Sequence, residues 1–397
     1  MFDMEARHII EALRSGIPSR SVGRYFSESR PQMIKKVSEA MERVRESGHP
    51  EGMMISGKYG EGKTHLLNTA FSMAHDENMV VTLLPLSKET PMDKPYLIYQ
   101  KALMNTYLPG YLHPGISRIF EEMSPNSPAA GEMLAYAAKE LETDKLYYVL
   151  RAYLNTDDQE EKYQLMSDIE GDYISNPVLK KIYRRIFNVP VKFNENFKKT
   201  AHAMDYFKFM SHLFRQMGYS GWTILFDELE LMGRLGKKTR LKAYFNMADY
   251  LLPNRSLESV FSMFAVSASY VEDVIDGKHE FENLKEVYPE GDEPARSVLD
   301  RIINAEQLLP LTKDEMAQIM MSIQEFHGKA YDWKPEVTLE SVLQATKSGG
   351  YLLRTQIRAA IEFFDQLYQY GKAGKTTINE LGKETFEEDV PSLEDVL

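Results

Sequence analysis

Short uninterrupted apolar runs, set between stretches of helical spacing, give this chain its pattern. The runs are Met53-Met54-Ile55-Ser56, Met79-Val80-Val81-Thr82-Leu83-Leu84 closed by Pro85, Thr223-Ile224-Leu225-Phe226, and Val260-Phe261-Ser262-Met263-Phe264-Ala265-Val266. Such runs, without polar alternation, predict strands buried on both faces in a parallel sheet. Helical spacing predicts helices over 4–14, stopping at Ser15-Gly16-Ile17-Pro18, and over 31–46, with Pro31 in the first turn and Gly48-His49-Pro50 as the break. From about 95 to 219, Leu, Tyr, Met, Lys and Glu recur at helical spacing with no convincing period of two. This stretch predicts a helical insertion, broken at Pro109-Gly110 and at 124–128 and 155–158. Beyond it the pattern predicts a helix over 241–252, an acidic loop over 276–293, and a last strand before an N-cap at Thr312. Helical spacing then continues to about 370, and the tail after Gly371 turns polar and acidic.

The first apolar run leads into Gly57-Lys58-Tyr59-Gly60-Glu61-Gly62-Lys63-Thr64, followed by a helical stretch starting at His65. This fits the G-x-x-x-x-G-K-[ST] phosphate-binding loop. Its glycines let the backbone curl with N–H groups inward, and the following helix adds the positive end of its dipole. In that geometry residues 57–65 cradle the phosphates of ATP, Lys63 reaches the β- and γ-phosphates, and the Thr64 hydroxyl ligates Mg²⁺. A glycine turn that matches by chance is the competing reading, which the flanking strand and helix weaken. The third run ends in Asp227-Glu228. Carboxylates at the C-terminal tip of a parallel strand stand where α/β sheets bind ligands. Asp227 is placed to hold Mg²⁺, and Glu228 to orient and deprotonate an attacking water. The fourth run ends in Ser267, a polar tip that either bonds the γ-phosphate or the water, or simply ends a strand. Together these predict an ATPase.

At 397 residues the chain is long for one core and implies two or three packed units. With 43% hydrophobic and 27% charged residues it is ordinary for a globular protein. The absence of cysteine excludes disulfides and thiolate metal sites, and no histidine pair has ligand spacing. Neither a leader nor a membrane-length apolar span is apparent, so a cytoplasmic location and no membrane partner are expected. The net charge of −12 argues against a wholly basic nucleic-acid surface. Two local basic stretches stand as DNA-contact candidates. One is the face of Lys180, Lys181, Arg184 and Arg185, followed by Lys192, Lys198 and Lys199; the other is the turn from Arg234 to Arg240. Both are weak signals, and a solvated helix surface is the favoured reading of the first.

The phosphate loop, distant Asp-Glu strand, polar strand tip and Gly349-Gly350-Tyr351-Leu352-Leu353-Arg354 together resemble AAA+ ATPases. More narrowly, the chain resembles the ATP-binding proteins of BREX phage-defence systems. The matching residues run from Ile9 to Pro18, from Gly57 to Thr64, through Phe226-Asp227-Glu228-Leu229-Glu230, and through Leu308-Leu309-Pro310-Leu311-Thr312. The resemblance spans most of the chain and is thin over the helical insertion. It implies an α/β fold: an AAA+-like P-loop core with a parallel sheet, a large helical insertion, and a C-terminal helical lid. The expected division is an N-terminal helical segment over 1–50, the core over 51–310, the lid over 311–375, and an acidic tail over 376–397. The resemblance also implies Ser267 as first sensor, Arg354 as the lid arginine on the γ-phosphate, and Arg301 as a finger reaching a neighbour's nucleotide. Family members often have Thr followed by Pro at the first sensor, where Ser267-Ala268 stands here. A homo-oligomer or defence-complex proteins are the implied partners, with DNA or a protein partner remodelled. A slow nucleotide-dependent switch and a helicase loader or regulator are the alternatives.

Overall fold

The structure is a computed structural model and describes residues 3–15, 22–23, 30–253, 257–346 and 353–373. Its centre is a sheet of six strands: β1 Glu51–Gly57, β2 Met79–Pro85, β3 Thr106–Tyr107, β4 Gly221–Asp227, β5 Val260–Ser267 and β6 Glu306–Gln307. They lie in the order β3-β2-β4-β5-β1-β6. Every neighbouring pair is parallel except β2 with β3, which is antiparallel. The sheet is therefore mixed rather than wholly parallel. Thr106 and Tyr107 follow the Pro95–Met104 helix and turn back along the outer edge of β2, where the Thr82 and Thr106 hydroxyls meet at 2.7 Å. Two residues are too few to print a period of two on the sequence.

The strands lack polar alternation because both faces are covered. All seven residues of β4 and all eight of β5 are buried. On one face Ile55, Val81, Leu225, Met263 and Ala265 pack against the helices Pro31–Ser47 and Lys63–Asp76. On the other, Val80, Ile224, Phe226, Phe264 and Val266 join a larger core with the helices Lys199–Gln216, Lys237–Leu251 and Glu293–Ile303. That larger core continues without a break through the helices between β3 and β4. Inside it lies a fully buried ion pair, Lys145 to Asp168 at 2.6 Å, completed by the Tyr206 hydroxyl donating to Asp168 and by Lys145 donating to the Ile174 carbonyl.

The Met4–Ser15 helix packs with the C-terminal helices Lys313–Tyr331, Leu339–Thr346 and Leu353–Tyr370 in a third core. The stretch expected as one N-terminal segment thus serves two cores, since Pro31–Ser47 belongs to the sheet. Arg14 ties this arrangement, donating to both Asp365 oxygens at 3.0 and 2.7 Å. Asp365 also accepts from His327 Nε2 at 3.0 Å, while His327 Nδ1 accepts from the Trp333 indole at 2.9 Å. The expected N-cap at Thr312 is present as a capping box with Glu315. The expected acidic loop over 276–293 is instead largely the Glu280–Val287 helix and the start of Glu293–Ile303. Leu284 anchors the first of these, and Glu280 is buried against Arg240, so the acidic composition concealed an element with two inward residues. Among the described residues, no helix is long and apolar enough to cross a membrane.

Candidate functional site

Gly57 ends β1 beside Ser267, which ends β5, because the parallel register pairs the two residues. The same register brings Pro85 of β2 beside Asp227 of β4. The glycine-rich loop, the acidic tip and the polar tip consequently share one sheet edge. Gly60 and Gly62 both have left-handed backbone, φ 80° and 94°, which costs a glycine little and lets the loop curl into the Lys63–Asp76 helix. The Lys63 ammonium donates to the carbonyls of Gly57 at 2.9 Å and Lys58 at 3.4 Å, holding its stem across the loop. Gly57 also receives the Ala268 amide at 3.1 Å, so the loop's first residue is fixed from β5 as well. The Lys58 amide donates to the Glu61 carboxylate at 2.7 Å.

Asp227 is buried, and burial pushes its carboxyl up from the ordinary range. The Thr64 hydroxyl, the Glu228 amide and the Lys63 charge oppose that rise without cancelling it. The Glu228 amide bond is 2.9 Å long. Glu228 itself is exposed and has a left-handed backbone, φ 60° and ψ 37°, a conformation unfavourable for a residue with a Cβ. That turn sends the chain back so that Glu230, buried, accepts the Ser267 amide at 3.1 Å. The Ser267 hydroxyl lies 3.3 Å from that of Ser269.

The C-terminal helices close over this edge. At the start of the Leu353–Tyr370 helix, the Arg354 amide donates to the Gly60 carbonyl at 3.1 Å, and its guanidinium to the Tyr59 hydroxyl at 2.9 Å. A Cβ at Gly62 would meet the Leu353 side chain at 3.4 Å, an ordinary contact, so it is the φ of 94° that calls for glycine there. Arg30 makes a second link, donating to the Glu61 carbonyl at 2.9 Å and to the Leu309 carbonyl at 2.7 Å. The cleft between loop and helices has a polar wall of Lys63, Thr64, His65, Asp227, Glu228 and Glu230. Its apolar wall is Ala12, Leu13, Val22, Ile319, Leu353 and Ile357.

Of the residues expected at a nucleotide site, 57–65, Asp227, Glu228, Ser267 and Arg354 thus gather around this edge. Arg301 does not. Its guanidinium bonds the Gly52 carbonyl at 2.8 Å, at the other end of β1 and about 17 Å along the strand from Gly57. Of the glycine-glycine string that carried the lid resemblance, residues 349–352 lie outside the described residues. Sequence reasoning missed Arg30 and the apolar wall. Leu13, Val22 and Ile319 carry the same signal as any inward position on an amphipathic helix, and nothing local marks them as facing a cleft.

A mostly parallel α/β sheet with a phosphate-type loop entering a helix beside an acidic strand tip is the architecture of a P-loop protein. The chain belongs to the family described as BREX system ATP-binding protein BrxC/D, whose model matches residues 3–113 and 132–377. No curated protein matches it. Among solved structures it is similar to the Walker-type ATPase PABY2304 of Pyrococcus abyssi, with 14% identity, a TM-score of 0.36, and coverage of 85% of this chain and 67% of that one. A likeness that loose bears on nothing further.

Proposed function

We propose that this member of an ATP-binding defence family is a Mg²⁺-dependent AAA+-type ATPase that couples hydrolysis to remodelling of DNA or a protein partner. The observation that carries the reading is the convergence of Lys63, Thr64 and Asp227 at one sheet edge, with Glu228 and Arg354 around them. Lys63 neutralises the β- and γ-phosphates, and the N–H groups of residues 60–65 hold them. Thr64 and Asp227 offer hard oxygens that already meet each other, and a buried carboxylate raised by burial is the donor a divalent cation would suit. When bound, Mg²⁺ would offset charge on the phosphates. Glu228, exposed at the cleft, takes the proton of the attacking water, and Arg354 approaches the γ-phosphate from the C-terminal helices. On this reading residues 51–310 form the ATPase core and 311–375 the lid, with the Met4–Ser15 helix riding on the lid. Assembly with itself or with other defence proteins, in the cytoplasm, belongs to the same proposal.

Phosphate release measured against free Mg²⁺ tests it. Thr64→Ala and Asp227→Asn should each need more Mg²⁺ for half-maximal turnover. Turnover equal in chelator and in Mg²⁺ would overturn the metal assignment. A slow ATP-dependent switch is the second reading, favoured by the direct bonds of Arg354 to the phosphate loop. In that case ATP binding would shift the C-terminal helices while turnover stayed slow.

A further inference from the structure

The two basic stretches of the sequence have different fates in the fold. In the turn, Arg240 is fully buried against Glu280, and Lys237 pairs with Glu286 at 2.7 Å. Two of its four basic side chains are thus already paired, one in the core and one at the surface. The other stretch stays at the surface. Between 176 and 200 the chain carries seven basic residues and one acidic residue, Glu195, although its overall charge is −12. The Asn176–Phe187 helix turns Leu179, Ile182 and Tyr183 inward, which leaves Lys180, Lys181, Arg184 and Arg185 exposed. The segment after it folds back onto the same helix. The Lys192 carbonyl accepts from the Tyr148 hydroxyl at 3.1 Å, Tyr148 packs edge-on to Tyr183 and Phe193, and the Lys180 ammonium lies 5.2 Å from the Phe193 ring centre. Lys192 is thereby held one residue from the ring that Lys180 overlies. Arg185 is paired with Glu161, whereas Lys180, Lys181, Arg184 and Lys192 have no carboxylate partner among the described residues.

We propose that Lys180, Lys181, Arg184 and Lys192 form a surface that holds the phosphate backbone of duplex DNA. Four exposed, unpaired cations in a chain of net negative charge keep self-repulsion that a polyanion would relieve. The chemistry is that of backbone contact rather than base reading, because three of the four are lysines, flexible point charges without the planar fork that pairs with a guanine edge. The face offers only two separate exposed apolar side chains, Val178 and Val189, and no broad apolar centre like that of a protein interface, since Tyr183 is buried and Phe193 half-buried beneath the charges. Leu179, Ile182 and Tyr183 of the helix are spent on the core, and the lone exposed Val178 is no apolar face to lay into a bilayer. The inference goes beyond the ATPase reading by placing the partner on the helices between β3 and β4, away from the nucleotide cleft.

The test uses the full chain and a short fluorescent DNA duplex across a salt titration. Lys180→Glu, Lys181→Glu, Arg184→Glu and Lys192→Glu are combined in one variant. The control makes the same charge change at Lys35, Lys139, Lys242 and Lys334, all exposed elsewhere. The face variant should bind at least about tenfold more weakly, and its log affinity against log salt should be shallower by about three to four. The control should keep most of the wild-type slope. Undiminished affinity in the face variant, or an equal loss in the control, would overturn the proposal. Binding of the wild type to polyglutamate or to anionic vesicles as tight as to the duplex would also overturn it. Unchanged melting temperature and DNA-free ATP turnover in the face variant show that it folds. The same DNA-free turnover reports the ATPase reading independently, so the two can fail separately.

Discussion

Lys63 spans its own loop to the Gly57 and Lys58 carbonyls, which leaves its charge over the curl of the backbone. Lys63→Ala should therefore weaken ATP binding by at least about tenfold, read by calorimetric titration, and unchanged affinity would move the phosphate site elsewhere. Tyr59 makes a subtler contribution. Its hydroxyl accepts from Arg354, so Tyr59→Phe removes a charge-assisted bond at a partly exposed position and should raise KM for ATP by a few-fold. A Tyr59→Phe change that has no effect on its own but also none in an Arg354→Ala background would show the pair to be uncoupled. Lys63 and Thr64 were legible in the sequence because the spacing of a phosphate loop is fixed by backbone geometry within eight positions, and Asp227 and Glu228 because they end an uninterrupted apolar run. Arg30 was not, because its two acceptors, Glu61 and Leu309, come from segments far apart in the chain.

At the scale of elements, the strands could be read because burial on both faces removes polar residues altogether. β3 and the Glu280–Val287 helix escaped for different reasons, one being two residues long and the other turning only two residues inward, one of them the charged Glu280. The joining of the Met4–Ser15 helix to the C-terminal helices depends on a pairing across the whole chain that no local pattern carries. Burial pushes the Asp365 carboxyl up, but the His327 and Arg14 bonds outweigh it and hold the group below its ordinary range. A carboxyl lowered by folding stabilises above its unfolded pKa and ceases to do so as pH falls through the folded value. Asp365→Asn should thus cost about 1–3 kcal/mol at neutral pH and progressively less below about pH 4, read by denaturant midpoints. A cost that stayed constant with pH would show the carboxylate's charge to be irrelevant. Lys145→Ala should cost more, about 3–5 kcal/mol, since it leaves Asp168 buried without its cation. A loss under about 1 kcal/mol would mean that Asp168 is neutral in the fold.

For the whole molecule, Arg301 poses the main question. In its own chain it serves Gly52 at the far end of β1, so any contact with a phosphate must be made to a neighbour's. If it does act across subunits, turnover per chain should climb with protein concentration. Mixing Arg301→Ala with Lys63→Ala chains should then restore part of the activity at hybrid interfaces. Specific activity independent of concentration, with no rescue at any mixing ratio, would leave Arg301 a strand-end residue only.

The most direct measurement of the central claim is single-turnover hydrolysis by wild-type and Glu228→Gln protein, with bound ATP and released phosphate followed in the same samples. If the cleft is an ATPase site with Glu228 as base, the variant should bind ATP as tightly as wild type and release phosphate about 10²–10⁴ times more slowly. Equal phosphate release from both would contradict it.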